Sequence, residues 1–340
     1  MEFDVSIVIP AYNIEQYIHA ALESVVRQNP PFKQIIVIDD GSTDGTGDVV
    51  RGFGDPRVLY HYQKNQGLGP ARNTGISLAK SSFLYFMDGD DLLVEGMTRE
   101  IGAMLCRPNS TPDAIFFSAI DFDDSSGRRL TSSNYFKWHR EGMFASGRAA
   151  LLSSLHKASV PACVFLCVFK RALLEEPRQL RFLNMLHEDE IFTPSLMLQS
   201  AGSVYISNEI LYRRRVRAGS IMTTRASSRN VSGSLAVSTW WREQAEQCVE
   251  KDASRAFRAQ ADRFYGMAIV YAARAGLHAT ELAELVAMKA PCYLRWLSID
   301  FGMASVSRRL AFWFIRLRLA LVCRWNERSV FRAKASKNGP

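Results

Sequence analysis

The residues best suited to chemistry are three aspartates that stand directly after an apolar run at 83–87. They are Asp88, Asp90 and Asp91, with only Gly89 between them. A short apolar run that ends abruptly in charge is typical of a buried strand whose carboxyl end opens at the edge of a sheet. Three carboxylates this close repel one another, and Mg²⁺ or Mn²⁺ would neutralise them while also binding substrate phosphates. The pattern therefore predicts a metal site, with a solvated acidic turn as the alternative.

A second acidic pair, Asp39 and Asp40, follows another strand-like run at 34–38. Strand and helix patterns alternate with short loops over residues 5–91, which predicts a parallel α/β sheet with right-handed crossovers. In such sheets ligands bind outside the carboxyl ends of the strands, so both acidic groups are expected at one edge. No glycine-rich dinucleotide loop or Walker loop follows any of these strands, which argues against folds that bind nucleotides through such loops.

The elements that position these residues are predicted from the period of the apolar residues. The predicted strands cover 5–10, 34–38, 58–62, 83–87 and 114–117, and the predicted helices cover 14–28, 44–53, 70–79, 97–106 and 189–199. Asn13 is expected to cap the first helix. A polar and aromatic segment, 121–140, is expected to form a hairpin, which either shapes an acceptor site or is a plain surface excursion. Further helices are expected near 230–250, 254–275, 279–289 and 305–325.

Four motifs occur in order between residues 9 and 91. They are Ile9-Pro10-Ala11-Tyr12-Asn13, Val37-Ile38-Asp39-Asp40-Gly41-Ser42-Thr43-Asp44, Asn65-Gln66-Gly67 with Ala71-Arg72-Asn73-Thr74-Gly75, and Asp88-Gly89-Asp90-Asp91. Together they closely resemble family 2 glycosyltransferases of the bacterial surface-polysaccharide type. The resemblance implies a GT-A fold, an α/β arrangement with a mixed, mainly parallel sheet flanked by helices. It weakens toward residue 225, which predicts a catalytic domain over 1–225 and a helical C-terminal region over 226–340.

The resemblance also implies roles in binding the donor. Pro10 and Asp40 would line the nucleobase pocket together with Tyr12, and Asp40 would accept a hydrogen bond from a uracil-like ring nitrogen. Arg72 would lie near the nucleotide, and Asn73 would brace its loop. A nucleotide sugar, most simply a UDP-sugar, is the implied donor.

The three aspartates Asp88, Asp90 and Asp91 would bind the metal. By resemblance, Asp88 and Asp90 form the paired-aspartate element, with one directed to the ribose and one to Mn²⁺ or Mg²⁺. Asp91 lies adjacent as a third candidate ligand. The spacing leaves open which carboxylate binds the cation directly. A departing nucleoside diphosphate develops negative charge, which such a cation can neutralise.

A second chemical centre is predicted at 187–190, where three acids follow His187. In the family, an aspartate preceded by a glutamate at the start of a helix is the general base, and Asp189 with Glu188 fits that position. A single base without a covalent nucleophile implies direct displacement and inversion at the anomeric carbon. The alternative is that these acids only complement the dipole of the helix that follows. His187 is expected to be a structural neighbour.

The run Tyr212-Arg213-Arg214-Arg215 resembles a tyrosine–arginine segment of polysaccharide glycosyltransferases. Alternation along a strand would direct Arg213 and Arg215 to one side and Arg214 to the other. Arginine forks suit diphosphate oxygens, and Arg215 is the predicted diphosphate ligand. The Gln-x-x-Arg-Trp motif of processive members is absent from the sequence, which favours transfer of a single sugar.

The net charge of +8 lies in the C-terminal tail. Residues 291–340 contain ten Lys/Arg and two Asp/Glu, whereas 1–290 contain 32 of each kind. The neutral body argues against a nucleic-acid partner. Arginines and aromatics around an apolar stripe at 310–321 predict a helix on an anionic membrane surface, with ordinary helix packing as the alternative. No apolar stretch reaches the roughly 18 residues of a membrane span.

These observations predict a glycosyltransferase, of the hexosyl or N-acetylhexosaminyl class, that acts on a glycan or lipid-linked glycan acceptor. Six scattered cysteines and an acidic N-terminus predict a cytoplasmic protein, held peripherally at the inner face of the membrane. Two alternatives remain at this point. One is a non-catalytic membrane scaffold that keeps the GT-A fold, and the other is an enzyme similar to a sugar-nucleotide pyrophosphorylase.

Overall fold

The fold is seen in a computed structural model of the chain. It describes residues 3–107, 111–130, 136–155, 160–217, 219 and 226–276. The chain divides into two compact units, Met1–Thr224 and Arg225–Pro340. The acidic and arginine-rich motifs all belong to the first unit.

The first unit is built on one mixed sheet. Its strands are β1 (Val5–Ala11), β2 (Gln34–Asp39), β3 (Val58–Tyr62), β4 (Phe83–Phe86), β5 (Leu92–Leu93), β6 (Ala114–Asp123), β7 (Arg129–Leu130), β8 (Gly142–Phe144), β9 (Cys167–Lys170) and β10 (Val204–Val216). The strand order is β3-β2-β1-β4-β9-β6-β10-β5, with β7 paired to β6 and β8 paired to β10. Strands β3, β2, β1 and β4 are mutually parallel, as the alternating pattern predicts. Strand β9 runs antiparallel to both β4 and β6, so the sheet is mixed.

Helices cover the sheet. They are α1 (Glu15–Val26), α2 (Thr46–Arg51), α3 (Leu68–Leu78), α4 (Met97–Leu105), α5 (Gly147–Leu155) and α6 (Asp189–Gln199). The five helices predicted in this part of the chain are confirmed, with ends shifted by a few residues, and α5 adds a sixth. The core beneath them is apolar and aromatic, and it includes Phe32, Tyr85 and Phe117. Helix α3 packs so closely on β1 that a Cβ at Gly75 would collide with the side chain of Val8.

The start of α1 differs from the prediction. The side chain of Asn13 does not cap the helix; its Oδ1 accepts a hydrogen bond from the N–H of Thr43 instead. The N–H groups of Ile14 and Glu15 donate to Thr46 Oγ1 and Asp44 Oδ2, at 2.9 and 3.1 Å. Tertiary contacts thus replace a local cap, because the loop after β2 carries better-placed oxygens. This exchange ties the carboxyl ends of β1 and β2 together.

The polar segment after β6 forms a hairpin, as predicted. Strand β7 pairs antiparallel with β6 after a turn stabilised by the Asp123 carboxylate, which accepts hydrogen bonds from Ser125 and Ser126. Trp138, in the described end of the segment, is buried, and its Nε1 donates to the backbone oxygen of Phe117 at 2.9 Å. The segment is therefore anchored in the core and is more than a surface excursion.

The second unit contains two helices among its described residues, α7 (Ser228–Gln247) and α8 (Lys251–Ala275), as predicted. They pack through buried side chains such as Trp241 and Phe257, and the hydroxyl of Ser238 donates to the backbone oxygen of Ala261 at 2.7 Å. The helices predicted near 279–289 and 305–325, and the basic tail over 291–340, lie outside the described residues. Within the part that the structure describes, no helix has the length and apolarity needed to cross a membrane.

Candidate active site

The aspartate turn, residues 88–91, lies between β4 and β5 at the carboxyl edge of the parallel strands. Its first two acids flank Gly89, where a Cβ would lie 2.9 Å from the backbone oxygen of Pro10 and 2.6 Å from the Ile14 side chain. A larger residue would push the turn away from β1. Glycine between Asp88 and Asp90 is therefore required by the close approach of the turn to the end of β1.

Asp88 and Asp90 each share one carboxylate oxygen with an arginine. Asp88 Oδ1 accepts from Arg72 Nη2 at 2.9 Å, and Asp90 Oδ2 accepts from Arg217 Nε at 2.9 Å. The two carboxylate side chains are 31% and 21% exposed, so a ligand in solution can reach them. Burial, together with the neighbouring charge of Asp88, raises the pKa of Asp90.

Asp91 has a different environment from its two neighbours. It is buried, its Oδ2 accepts from Tyr212 Oη at 2.7 Å, and its Oδ1 accepts from the backbone N–H of Arg215 at 2.6 Å. Burial and the charges of Asp90 and Asp88 raise its pKa well above the ordinary value. Both oxygens are thus engaged by the protein, an environment that suits a support under the site better than the predicted metal ligand.

The residues present fit a divalent cation that completes its shell with substrate. In the described ranges, no three His, Cys, Asp or Glu side chains form a complete metal site by themselves. Oδ2 of Asp88 and Oδ1 of Asp90 accept no hydrogen bond from another described residue. Two carboxylate oxygens at one edge suit Mg²⁺ or Mn²⁺, which keep several waters and substrate phosphates in their shell.

The predicted nucleobase residues surround the ends of β1 and β2. Pro10 is buried within β1, and Tyr12, just beyond that strand, is 49% exposed. Asp40 is buried, and its carboxylate holds the loop before α3: Oδ1 accepts from Gln63 Nε2 at 2.7 Å and Oδ2 accepts from the N–H of Gly67 at 2.8 Å. The role of Asp40 seen here is to fix the loop that leads into α3, the helix that carries Arg72.

Arg72 joins the two chemical centres. It projects from α3, its side chain is 3% exposed, and it donates to Asp88 at 2.9 Å through Nη2 and to Glu188 at 2.5 Å through Nη1. Burial acts to lower its pKa, but the surrounding carboxylates outweigh burial and raise it, so the guanidinium stays charged. The aspartate turn and the start of α6 are therefore both bound to the guanidinium group of Arg72.

Asn73 connects α3 to the segment before α6 through the backbone of Phe182. Its side chain accepts from the N–H of Phe182 at 2.9 Å and donates to the backbone oxygen of that residue at 2.8 Å. The Phe182 ring stacks on Phe192 of α6 with centroids 3.7 Å apart. This agrees with the bracing role expected of Asn73, and it adds a rigid contact between α3 and the predicted base segment.

Asp189 is the first residue of α6, as predicted. It is partly buried, and no described residue hydrogen-bonds its carboxylate. Burial and the adjacent charges of Glu188 and Glu190 raise its pKa well above the ordinary value. Glu188 differs, since it is buried against Arg72. His187 adopts a left-handed φ of 66°, which turns the chain sharply into the helix.

The arginines of β10 alternate as predicted. Arg213 and Arg215 both lie over the ring of Phe122, at 4.7 and 4.8 Å, whereas Arg214 pairs with Asp121 at 2.8 and 3.0 Å. Because alternation follows from strand geometry alone, the sequence was sufficient to place these side chains.

Arg215, the predicted diphosphate ligand, is held beside the aspartate turn. Its Nη1 pairs with Asp124 at 2.6 Å and its Nε donates to the backbone oxygen of Asp90 at 2.7 Å. Sequence reasoning did not single out Arg217, which lies two positions further on and contacts the Asp90 carboxylate. The alternation that places Arg213 with Arg215 extends to residue 217 and could have identified it.

The architecture is that of the GT-A fold. Solved structures share that fold: S. aureus TarS 1–349 in complex with UDP-GlcNAc has a TM-score of 0.56 at 19% identity, covering 87% of this chain and 79% of that one. A mannosyltransferase from Pyrobaculum calidifontis, PcManGT in complex with GDP-Man and Mn²⁺, has a TM-score of 0.52 at 18% identity, covering 86% and 80%. Residues 6–171 match the family model described as glycosyl transferase family 2.

Three bacterial proteins are similar to this chain in sequence. Glycosyltransferase GlyA of Streptococcus pneumoniae is 29% identical over 64% of this chain and 31% of its own length. Glycosyltransferase GlyG of the same species is 27% identical over 65% of this chain and 73% of its length. The succinoglycan biosynthesis protein ExoO of Rhizobium meliloti is 30% identical over 64% and 62%. The chain thus spans less than a third of GlyA and most of GlyG.

Proposed function

We propose that this protein transfers a single sugar from a UDP-sugar to a glycan hydroxyl, with inversion at the anomeric carbon and with a divalent cation bound. The observation that carries the proposal is the position of Arg72 between Asp88 and Glu188. One buried guanidinium holds the predicted donor site and the predicted base segment together. A site of this kind can bind a nucleotide sugar and activate an acceptor at the same edge of the sheet.

The donor end of the site is assigned to Asp88 and Asp90. These carboxylates would hold Mn²⁺ or Mg²⁺, which supplies positive charge to the diphosphate as it leaves. Arg215 and Arg217 lie beside the same turn and can donate forked hydrogen bonds to phosphate oxygens. Pro10, Tyr12 and Asp40 would receive the nucleobase at the ends of β1 and β2.

The acceptor end of the site is assigned to Asp189. As an open carboxylate with a raised pKa, it is suited to take the proton from an acceptor hydroxyl as that oxygen attacks the anomeric carbon. Glu188 is assigned a positioning role, because its carboxylate is engaged by Arg72. Displacement without a covalent intermediate gives a product of inverted configuration.

The acceptor is proposed to be a lipid-linked intermediate of a surface polysaccharide. The names of relatives such as ExoO support a polysaccharide product. The basic tail, which lies outside the described residues, would hold the enzyme peripherally at an anionic membrane where such an acceptor resides. This assignment also accounts for a net charge that is confined to residues 291–340.

A panel of nucleotide sugars tests the proposal. The protein is incubated with Mn²⁺ and each of several UDP-sugars, with GDP-mannose for comparison, and release of free nucleotide is followed. We expect slow, Mn²⁺-dependent hydrolysis of at least one UDP-sugar in the absence of acceptor. Failure to hydrolyse any donor, together with failure to bind UDP by calorimetry, would contradict the proposed function.

A further inference from the structure

Tyr212 lies directly beneath the aspartate turn and has no role in the chemistry proposed above. It is fully buried in β10, and its ring stacks on Phe165 with centroids 4.5 Å apart and planes at 13°. Its hydroxyl accepts from the backbone N–H of Asp88 at 3.2 Å and donates to Asp91 Oδ2 at 2.7 Å. One oxygen atom therefore binds both ends of the turn.

Asp91 extends this connection along β10. Its second oxygen accepts from the backbone N–H of Arg215, three residues after Tyr212. The pairing of β5 with β10 continues the contact, with Leu93 opposite Tyr212 in the antiparallel register. The turn that carries Asp88 and Asp90 is thus fastened to the strand that carries the arginines. The distance between the carboxylates and the arginines depends on these bonds.

We propose that Tyr212 is a positioning residue that acts through Asp91 to hold Asp88 and Asp90 at the separation a divalent cation requires. Asp91 is, on this inference, a support and not a ligand. The inference rests on the proposed function, since it concerns the cation of that same site. Groups that orient metal ligands from behind usually change metal affinity by about 10–100-fold when they are removed.

The alternative, that Tyr212 only fills space, predicts no effect of its hydroxyl on the cation. Tyr85 provides a matched control for that case. It is also fully buried, and its hydroxyl donates to the backbone oxygen of Phe165 at 3.1 Å and not to a residue of the turn. Each substitution by phenylalanine therefore removes one buried hydroxyl near Phe165. Only Tyr212→Phe also removes hydrogen bonds to the turn.

The test is a titration of the full-length protein with Mn²⁺ in the presence of UDP. The concentration of free Mn²⁺ is measured at each step by electron paramagnetic resonance. Tyr212→Phe is expected to weaken Mn²⁺ binding by about 10–100-fold, and Tyr85→Phe to leave it unchanged. Equal Mn²⁺ affinity of Tyr212→Phe and wild type would overturn the inference. An equal loss in both variants would also overturn it, because the effect would then come from the core.

Asp91→Asn separates a support from a ligand. As a support, Asp91 acts through the same bond as Tyr212, so Asp91→Asn should weaken Mn²⁺ binding by a similar factor. The double variant should lose little more than either single one. Complete loss of Mn²⁺ binding in Asp91→Asn beside a normal Tyr212→Phe would make Asp91 a ligand and overturn the inference. If Tyr212→Phe does not fold, the Mn²⁺ affinity of Asp91→Asn decides. A loss of about 10–100-fold supports the inference, and a complete loss of binding overturns it.

Hydrogen exchange without any ligand distinguishes this inference from the proposed function. The amides of residues 86–92 should exchange faster in Tyr212→Phe than in wild type or Tyr85→Phe, since the Asp88 N–H loses its acceptor. Unchanged exchange in that segment would overturn the inference whatever the enzyme does. Faster exchange in Tyr212→Phe would support the attachment of the turn to β10 even if the wild type bound neither Mn²⁺ nor UDP. That lack of binding would contradict the proposed function and the role of Tyr212 toward the cation.

Discussion

Arg72 and Glu188 form a buried ion pair although they are 116 positions apart in sequence. Their side chains are 3% and 6% exposed, and Arg72 also binds Asp88. Removal of one member of a buried pair leaves an uncompensated charge in the interior, which is strongly destabilising. The pair therefore couples the assembly of the candidate active site to the stability of the first unit.

Substitution of Arg72 should reveal this coupling in the free energy of unfolding. Arg72→Leu leaves Glu188 buried without its partner, and we expect a loss of about 3–5 kcal/mol in denaturant titrations. Arg27→Leu is the matched control, because Arg27 pairs with Glu23 on an exposed helix face where its side chain is 74% exposed. It should leave stability almost unchanged. Similar losses of unfolding free energy in both variants would show that the buried pair contributes no more to stability than the exposed one.

The metal prediction concerns Asp90. Asp90→Ala removes an oxygen assigned to the cation and should abolish donor turnover, and excess chelator should do the same to the wild type. Asp48→Ala serves as the control, since Asp48 lies on α2 and is 83% exposed. The measurement is release of UDP from the donor chosen by the panel. Turnover that persists in excess chelator would refute the metal assignment.

The pH dependence of turnover follows from the raised pKa of Asp189. A general base works only when it is deprotonated, so the rate should fall as the pH drops through the pKa of this carboxyl. Because burial and neighbouring charges raise that pKa, the fall should occur at higher pH than for an ordinary aspartate. The measurement is kcat against pH at saturating donor. An acid limb at the pKa of a free aspartate would contradict the raised value.

Much of the first half of the fold was predictable because buried parallel strands carry continuous apolar runs and amphipathic helices carry a strong period. The four strands β3, β2, β1 and β4 were therefore found from the sequence. Strand β5 has only two residues, and the pairing of β5 with β10 and of β9 with β6 depends on tertiary contacts. The sequence could not identify them.

The candidate site shows a similar division. The types and order of the acids placed them at one edge of the sheet, since carboxyl ends of parallel strands meet there. The pairing of each acid was not predictable. Asp91 was expected beside the cation, and only the position of Tyr212, 121 residues away, reveals that its oxygens are already engaged. Contacts of this kind depend on strand register and on the bulged path of β10.

The basic tail leads to a prediction about membranes, although it lies outside the described residues. Each Lys or Arg near an anionic leaflet contributes about 1 kcal/mol, so full-length protein should sediment with anionic vesicles. High salt should release it only in part, because salt screens charge and not apolar contact. Truncation before Ser305 should leave the protein in the supernatant, still able to hydrolyse donor slowly.

A charge-matched comparison makes the vesicle experiment specific. One variant changes Arg308, Arg309 and Arg316 to glutamine, and its control changes three exposed arginines of the first unit, Arg27, Arg51 and Arg99. Only the tail variant should lose vesicle binding. Equal sedimentation of the two variants, or indifference to lipid charge, would show that the tail is not a membrane anchor.

In the proposed mechanism, Asp189 takes the acceptor proton in a site that binds the donor independently of it. Asp189→Asn keeps the size of the side chain and removes the proton acceptor. We predict that calorimetry with UDP and Mn²⁺ gives the same affinity as wild type, while sugar transfer falls by about two to four orders of magnitude. Transfer at the wild-type rate, or loss of UDP binding together with transfer, would contradict the assignment of Asp189 as the base.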